Sequence, residues 1–153
     1  MKKKVINITK KQPASPMGFT LWLVCNLWQR ELRKELLNFD LTHAQYILLN
    51  AACELGKNKD AITQIKLAQV TGTDKMMVSK VLRTLESKKL LKRNDLKTDN
   101  RAKSIVVTPK GTDLCQKATD IVLAFEKTFF GPIDKNEKVF NKSLSKLLKL
   151  NNA

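Results

Sequence analysis

Residues 64–83 read Gln64-Ile65-Lys66-Leu67-Ala68-Gln69-Val70-Thr71-Gly72-Thr73-Asp74-Lys75-Met76-Met77-Val78-Ser79-Lys80-Val81-Leu82-Arg83, and their spacing decides the fold. Counted from Gln64, Ala68 is fifth, Gly72 ninth and Val78 fifteenth. A small residue lets two helices cross closely, a glycine accepts the backbone conformation of a tight turn, and a β-branched residue packs into the angle between the helices. Leu67 and Val81 fill the adjoining core positions. The second helix keeps Val78, Val81, Leu82 and Leu85 on one stripe and turns Lys75, Ser79, Lys80 and Arg83 the other way. An ordinary helical hairpin shares this spacing, so the residues that follow must discriminate.

They read as a basic β-hairpin. Leu91-Lys92-Arg93-Asn94 and Lys103-Ser104-Ile105-Val106-Val107 form the candidate strands, Asp95 to Arg101 the polar tip, and Thr108-Pro109 opens another helix. The chain carries a net charge of +15, and nearly half of it is local, because residues 73–110 hold eleven basic and four acidic side chains. A further five lysines and no acid lie in residues 1–18. A basic helix followed by a basic hairpin suits the phosphates of a nucleic-acid duplex.

The rest of the chain reads as helices. Residues 1–18, with Pro13, Pro16 and Gly18, are expected to form a flexible basic arm, and residues 19–153 a single domain. A first helix is predicted over Phe19–Asn38. A second starts after Thr42, which caps it with Gln45 in a capping box, and closes at Gly56. Ala61-Ile62 reads as a minimal strand, and Thr63 caps a short third helix over Gln64–Val70. A fifth helix runs from Thr108 to Gly131-Pro132, and Asp134 with Glu137 is expected to make a capping box for a sixth.

Several function classes are excluded by composition. The longest apolar run, Leu21 to Cys25, is too short to span a bilayer, and Val5-Ile6-Asn7-Ile8 is interrupted before Lys10-Lys11, so no signal-peptide core forms. A cytoplasmic location without membrane association is expected. Cys25, Cys53 and Cys115 are odd in number, widely spaced and free of CxxC pairing, which suits a reducing compartment and buried, inert thiols. His43 is the only histidine. A two-histidine metal site is therefore impossible, no enzyme constellation emerges, and no cofactor is expected; His43 reads as a first-turn surface or interface residue.

With these residues in place, the chain resembles the MarR family of winged-helix transcriptional regulators over most of its length. The resemblance is carried by Leu41-Thr42-His43-Ala44-Gln45-Tyr46, Leu67-Ala68 with Gly72, Asp74-Lys75-Met76-Met77-Val78-Ser79, Leu85-Glu86 and Leu90-Leu91. Asp99-Asn100-Arg101 matches the family's Asp-x-Arg wing tip and Thr108-Pro109-Lys110-Gly111 its Thr-x-x-Gly exit. It implies a mainly α fold, in which a winged helix-turn-helix (about residues 41–111) with a short β-hairpin wing is joined to N- and C-terminal dimerisation helices (about 19–38 and 109–150). The recognition helix would enter the major groove, where Lys80, Arg83 and Ser79 reach bases or phosphates, with Lys75 beside them. Arg101, braced by Asp99, would enter a narrow minor groove; Arg93, Lys97 and Lys103 would meet phosphates. Two residues depart from the pattern. Lys89 stands where the family has glycine, which predicts either a rebuilt turn or a positive φ, and Met76 replaces a small polar residue, which leaves it apolar contact with a thymine methyl.

The terminal helices carry more apolar surface than one winged helix needs to bury, notably Phe19, Trp22, Leu23, Val139, Phe140, Leu144, Leu147 and Leu148. A homodimer would use it and would set two recognition helices about one turn of DNA apart on a pseudopalindrome. The resemblance further implies a repressor with a small-molecule effector, and Met17, Phe19, Trp22, Trp28 and Tyr46 are the candidate cavity lining. Two other readings stay open, a winged-helix module binding RNA or DNA without sequence preference and a protein-interaction module using the terminal helices.

Overall fold

Proline lacks the amide that a helix leaves unpaired at its start and holds a φ compatible with helix entry. In the computed structural model, which describes residues 16–57, 61–96 and 99–151, Pro16 takes that place before helix α1 (Met17–Leu37). Its carbonyl accepts the Phe19 amide at 2.8 Å. The helix thus begins two residues inside the predicted arm; residues 1–15 of that arm lie outside the described residues. Of residues 95, 96, 99–103, 150 and 151 only the backbone is described.

Local capping sets the next boundaries. Thr42 and Gln45 make the predicted capping box at the start of α2 (His43–Gly56), with the Gln45 amide bonded to Thr42 Oγ1 at 3.2 Å and the Thr42 amide to Gln45 Oε1 at 3.1 Å. Gly56 does not close this helix in a left-handed turn: it is the last helical residue, and Lys57 follows in right-handed geometry. Thr63 caps α3 (Gln64–Thr71) through the Lys66 amide. The strand expected at Ala61-Ile62 shrinks to a single bridge between Thr63 and Ser104, plus a bond from the Ile105 amide to the Ile62 carbonyl at 2.8 Å. Because Thr63 must also cap α3, the chain turns away before a strand can extend.

Gly72 ends α3 at φ 60°, and the Thr73 amide reaches back to the Ala68 carbonyl at 3.1 Å. This left-handed residue is the tight turn that the spacing required. Helix α4 (Lys75–Ser87) follows, and then the antiparallel hairpin β1 (Leu91–Leu96) and β2 (Asp99–Val107), paired from Leu91 with Val107 to Leu96 with Asp99. Its strands run further toward the tip than the sequence suggested. Thr108 caps α5 (Pro109–Phe130) by accepting the Gly111 amide at 3.0 Å. A 3-10 turn (Gly131–Asn136) leads into α6 (Glu137–Asn151). The capping box expected of Asp134 and Glu137 is replaced by this turn: the Asp134 carboxylate takes the Lys135 amide at 2.6 Å, and the Glu137 amide goes to the Asp134 carbonyl.

One apolar core joins these elements. Leu32 and Leu36 of α1, Leu48, Leu49 and Ala52 of α2, Leu67 of α3, the Val78-Val81-Leu82-Leu85 stripe of α4, Ile105 of the hairpin and Ala118 and Val122 of α5 are all buried. Among the described residues, none on α6 joins it. Among the residues predicted to dimerise, Phe19, Trp22, Val139, Leu147 and Leu148 are at least half exposed in the single chain, and Leu23, Phe140 and Leu144 are half-buried.

Candidate nucleic-acid interface

Helix α4 is presented by its own ends. At the N-terminus Asp74 Oδ1 accepts the amides of Met76 at 2.8 Å and Met77 at 3.2 Å, which satisfies donors that a helix start leaves open. The apolar stripe presses into the core, and rotation then fixes the other side chains. Lys75, Lys80 and Arg83 are exposed and Ser79 half-buried on the outer face, as the sequence predicted. Among the described residues none of the three cations is held in an ion pair. Their charge faces outward, with no counterion among the described residues.

Met76 is 79% exposed and Met77 47% exposed, and both line one shallow depression with Ser79, Lys80 and Arg83. Met77 was not singled out from the sequence, since it falls between the buried stripe and the basic face. Its position three residues into the helix, ahead of Val78, is the signal that could have found it.

The turn from α4 into β1 is tied from several sides. Lys89 adopts φ 62°, so the positive-φ alternative holds at the position where glycine was expected. The Leu90 amide bonds the Leu85 carbonyl at 3.0 Å and the Lys89 amide that of Glu86 at 2.9 Å, the pattern of a helix closed by a left-handed residue. Lys88 reaches over to the Asp40 carboxylate at 2.9 Å and Gln45 Oε1 at 3.3 Å. Lys110 donates to the Lys88 carbonyl at 3.2 Å.

Arg93, expected to meet phosphate, is paired within the chain. Its Nε and Nη2 are held by Glu86 Oε2, the former at 2.7 Å, and its backbone amide by Glu86 Oε1 at 3.1 Å. This charge-assisted clasp fastens the wing to the recognition helix, and the Glu86 side of it was missed, although Leu85-Glu86 stood among the matching residues. The exit of the wing is equally constrained. Thr108 donates its amide to the Leu90 carbonyl at 3.0 Å and shares its hydroxyl proton between the Lys89 and Leu90 carbonyls at 2.8 and 3.1 Å, and Gly111 lies so close that a Cβ there would sit 2.0 Å from the Leu90 oxygen.

Toward the tip, Lys97 lies outside the described residues. Asp99, Arg101 and Lys103 lie on β2, with their side chains outside the described residues. The five-residue cavity lining proposed from the sequence does not assemble. Met17, Phe19 and Trp22 stand exposed on α1, Phe19 stacked on Trp22, whereas Tyr46 is core and Trp28 packs edge-on against His43 with ring centroids 5.0 Å apart. His43 is thus half-buried, and desolvation lowers its imidazole pKa below the usual value. A cavity of about 530 Å³ opens elsewhere, between α2, β2 and α5. No cluster of metal-ligating side chains occurs among the described residues.

Comparison with known proteins agrees with this geometry. Residues 53–103 match the model of the MarR family. A relative from Bacillus subtilis (strain 168), the uncharacterized HTH-type transcriptional regulator YdcH, is 37% identical over 137 residues, covering 90% of this chain and 92% of its own. Among solved structures, S. aureus MepR in complex with DNA superimposes with a TM-score of 0.79 at 24% identity, covering 88% of this chain and 96% of MepR. CouR from Rhodococcus jostii RHA1 bound to p-coumaroyl-CoA gives 0.74 at 24% identity, over 92% of this chain and 94% of CouR.

Proposed function

The chain belongs to the MarR family of DNA-binding transcription regulators, which are not enzymes, and on that footing we propose that it is a homodimeric repressor of a pseudopalindromic operator. The observation that carries this reading is the outward face of α4. Lys75, Met76, Ser79, Lys80 and Arg83 project together from a helix whose other face is locked in the core. Arg83 and Lys80 supply donors for guanine O6 and N7 or for phosphates, and Met76 and Met77 offer apolar contact to thymine methyls. Arg101 with Asp99 at the wing, Lys103 and Lys97 complete the set toward the minor groove and backbone.

Support for the homodimer comes from α1 and α6, where Trp22, Val139, Leu147 and Leu148 are each more than half exposed on faces that water disfavours. Two copies joined there would hold their recognition helices at a fixed spacing. Residues 19–153 would act as one unit, and the lysines of residues 1–18 would add sequence-independent attraction to DNA. An effector would act by favouring dimers with the wrong spacing, and the fold accommodates a bound small molecule in CouR, whose structure holds p-coumaroyl-CoA.

The test is binding to the DNA upstream of its own gene and to a scrambled duplex, each across a salt series. A specific operator predicts affinities differing by about 10³-fold or more at physiological salt. A ratio near one would leave the non-specific nucleic-acid module as the better reading.

A further inference from the structure

Two turns of the fold are closed by a left-handed residue that is not glycine, Asp40 at φ 51° between α1 and α2 and Lys89 at φ 62° between α4 and β1, and among the described residues there are no others. Such residues persist where their surroundings hold them. At the first turn the Asp40 amide bonds the Leu37 carbonyl at 3.0 Å and the Leu41 amide that of Leu36 at 3.2 Å, which closes α1 before the chain enters α2. One side chain spans the two turns. Lys88, which caps α4 and precedes Lys89, sends its ammonium to the Asp40 carbonyl, to the Asp40 carboxylate at 2.9 Å and to Gln45 Oε1 at 3.3 Å. An ammonium has three donors, and each finds an acceptor here. Gln45 Oε1 also receives the Thr42 amide that begins α2, so one group ties together the end of α1, the cap of α2 and the end of α4. Helix α5 joins from the other side, where Lys110 donates to the Lys88 carbonyl at 3.2 Å. The Lys88 side chain is 25% exposed and that of Asp40 90%, so the carboxylate is screened by water and the carbonyl and amide oxygens set the geometry of the grip.

We propose that Lys88 is the positioning residue that fixes the half-site spacing an operator must have, by holding the recognition helix at a set angle to α1. The inference rests on the homodimeric DNA-binding reading and goes beyond it, because neither the outer face of α4 nor the wing can set the distance between two copies of themselves. In a dimer joined through α1 and α6, a rotation of α4 about the α1–α2 turn occurs on both sides of the twofold axis and moves the two recognition helices relative to one another. One base pair inserted between the half-sites displaces one of them by about 3.4 Å along the duplex and about 35° around it. With the two turns tied by Lys88, following that displacement requires breaking the three bonds of its ammonium. Without the tie each recognition helix swings to follow its half-site, and discrimination between spacings is lost before affinity for a half-site is.

The experiment uses the full-length chain, the operator footprinted in the DNA upstream of its gene, and the same operator with one base pair inserted or deleted at its centre. Wild-type protein should bind the altered spacings at least about tenfold more weakly. Lys88→Met keeps the length of the stem and removes the donors; it should narrow that ratio at least about fivefold, while affinity for a duplex with one intact half-site changes less than about twofold and sedimentation still finds a dimer. Lys88→Gln, too short to span the two turns, gives the same reading should the methionine variant fail to fold. Lys88→Arg retains charge and donors and should keep the wild-type ratio, as should Asp40→Asn, in which the backbone carbonyl still stands. Equal wild-type affinity for all three spacings, or an unchanged ratio in folded, dimeric Lys88→Met, would overturn the proposal. So would a loss on the single half-site as large as that on the whole operator, because a merely weakened recognition helix loses both alike. An Asp40→Asn ratio as narrow as that of Lys88→Met would overturn the assignment of the grip to the carbonyl. No preference for the upstream DNA over a scrambled duplex would refute the DNA-binding reading and this inference with it, whereas a specific operator whose spacing ratio ignores Lys88→Met refutes the inference alone.

Discussion

Replacing Gly111 by alanine should unfasten the wing from α5. The added Cβ would lie 2.0 Å from the Leu90 carbonyl oxygen and 2.9 Å from both the Leu90 carbonyl carbon and Val107 Cγ1. Neighbours of a Cβ stay beyond 3.0 Å, so the Leu90 peptide has to retreat by about 1 Å into a core that does not yield easily. That movement stretches the two bonds the oxygen accepts from Thr108, each contributing about 1 kcal/mol, and adds about 1–3 kcal/mol of overpacking around Leu90, which is fully buried. A loss of about 3–5 kcal/mol follows. Set against the roughly 5–15 kcal/mol that holds a domain together, it lowers the melting midpoint by about 10 °C. Urea unfolding followed by circular dichroism measures it. A change below about 1 kcal/mol would show that the Leu90 carbonyl is free to move and that the Thr-x-x-Gly exit does not anchor the hairpin.

Lys89→Gly tests the same turn from the other side: removing a side chain from a left-handed residue should stabilise the protein by about 0.5 kcal/mol after the greater freedom of the unfolded glycine is counted, and a loss of that size would contradict the reading of φ 62° as strained. Arg93→Ala should cost about 1–2 kcal/mol by releasing Glu86, while the dependence of DNA affinity on salt keeps its slope; a slope reduced by about one would return Arg93 to the phosphate contacts. The double change Leu147→Lys with Leu148→Lys should yield a folded monomer in sedimentation experiments, and a persistent dimer would move the interface away from α6. Arg101→Ala should weaken operator binding by about 1–3 kcal/mol and leave the dimer intact, and unchanged affinity at physiological salt would remove the wing tip from recognition.

What could be read before any coordinates were known shares one property: its cause is local in sequence. Thr42, Thr63, Asp74 and Thr108 cap amides two or three residues away, and Gly72 bends the chain where it stands. The stripe of α4 needs only helical period. Failures came where a neighbour absent from the local pattern competes. Thr63 is both bridge partner and cap, which dissolved the expected strand, and Asp134 found the Lys135 amide within a 3-10 turn instead of capping α6. The pairing of Lys88 with Asp40 depends on packing between distant segments, and no spacing in one sequence encodes their meeting. The five-residue cavity failed for the converse reason, since aromatic residues gathered by composition were dispersed by packing into an exposed α1 face and a closed core.

The ties around residues 86–93 bear on how such a protein can diverge. Glu86 clasps Arg93, Lys88 grips the end of the α1–α2 turn, Lys110 holds the Lys88 carbonyl, and Thr108 with Gly111 pins the Leu90 carbonyl. Helix α4 and the hairpin are therefore tied together at an angle set by residues other than those of the outer α4 face. On the proposed reading, substitutions on the outer face of α4 would alter which bases are favoured; substitutions in this knot would alter where Arg101 falls relative to Arg83, and so the groove geometry that both could satisfy at once. The two kinds of change carry different signatures. The first shifts preference at single base positions, whereas the second penalises all operators of the old geometry together, with stability and affinity falling in parallel.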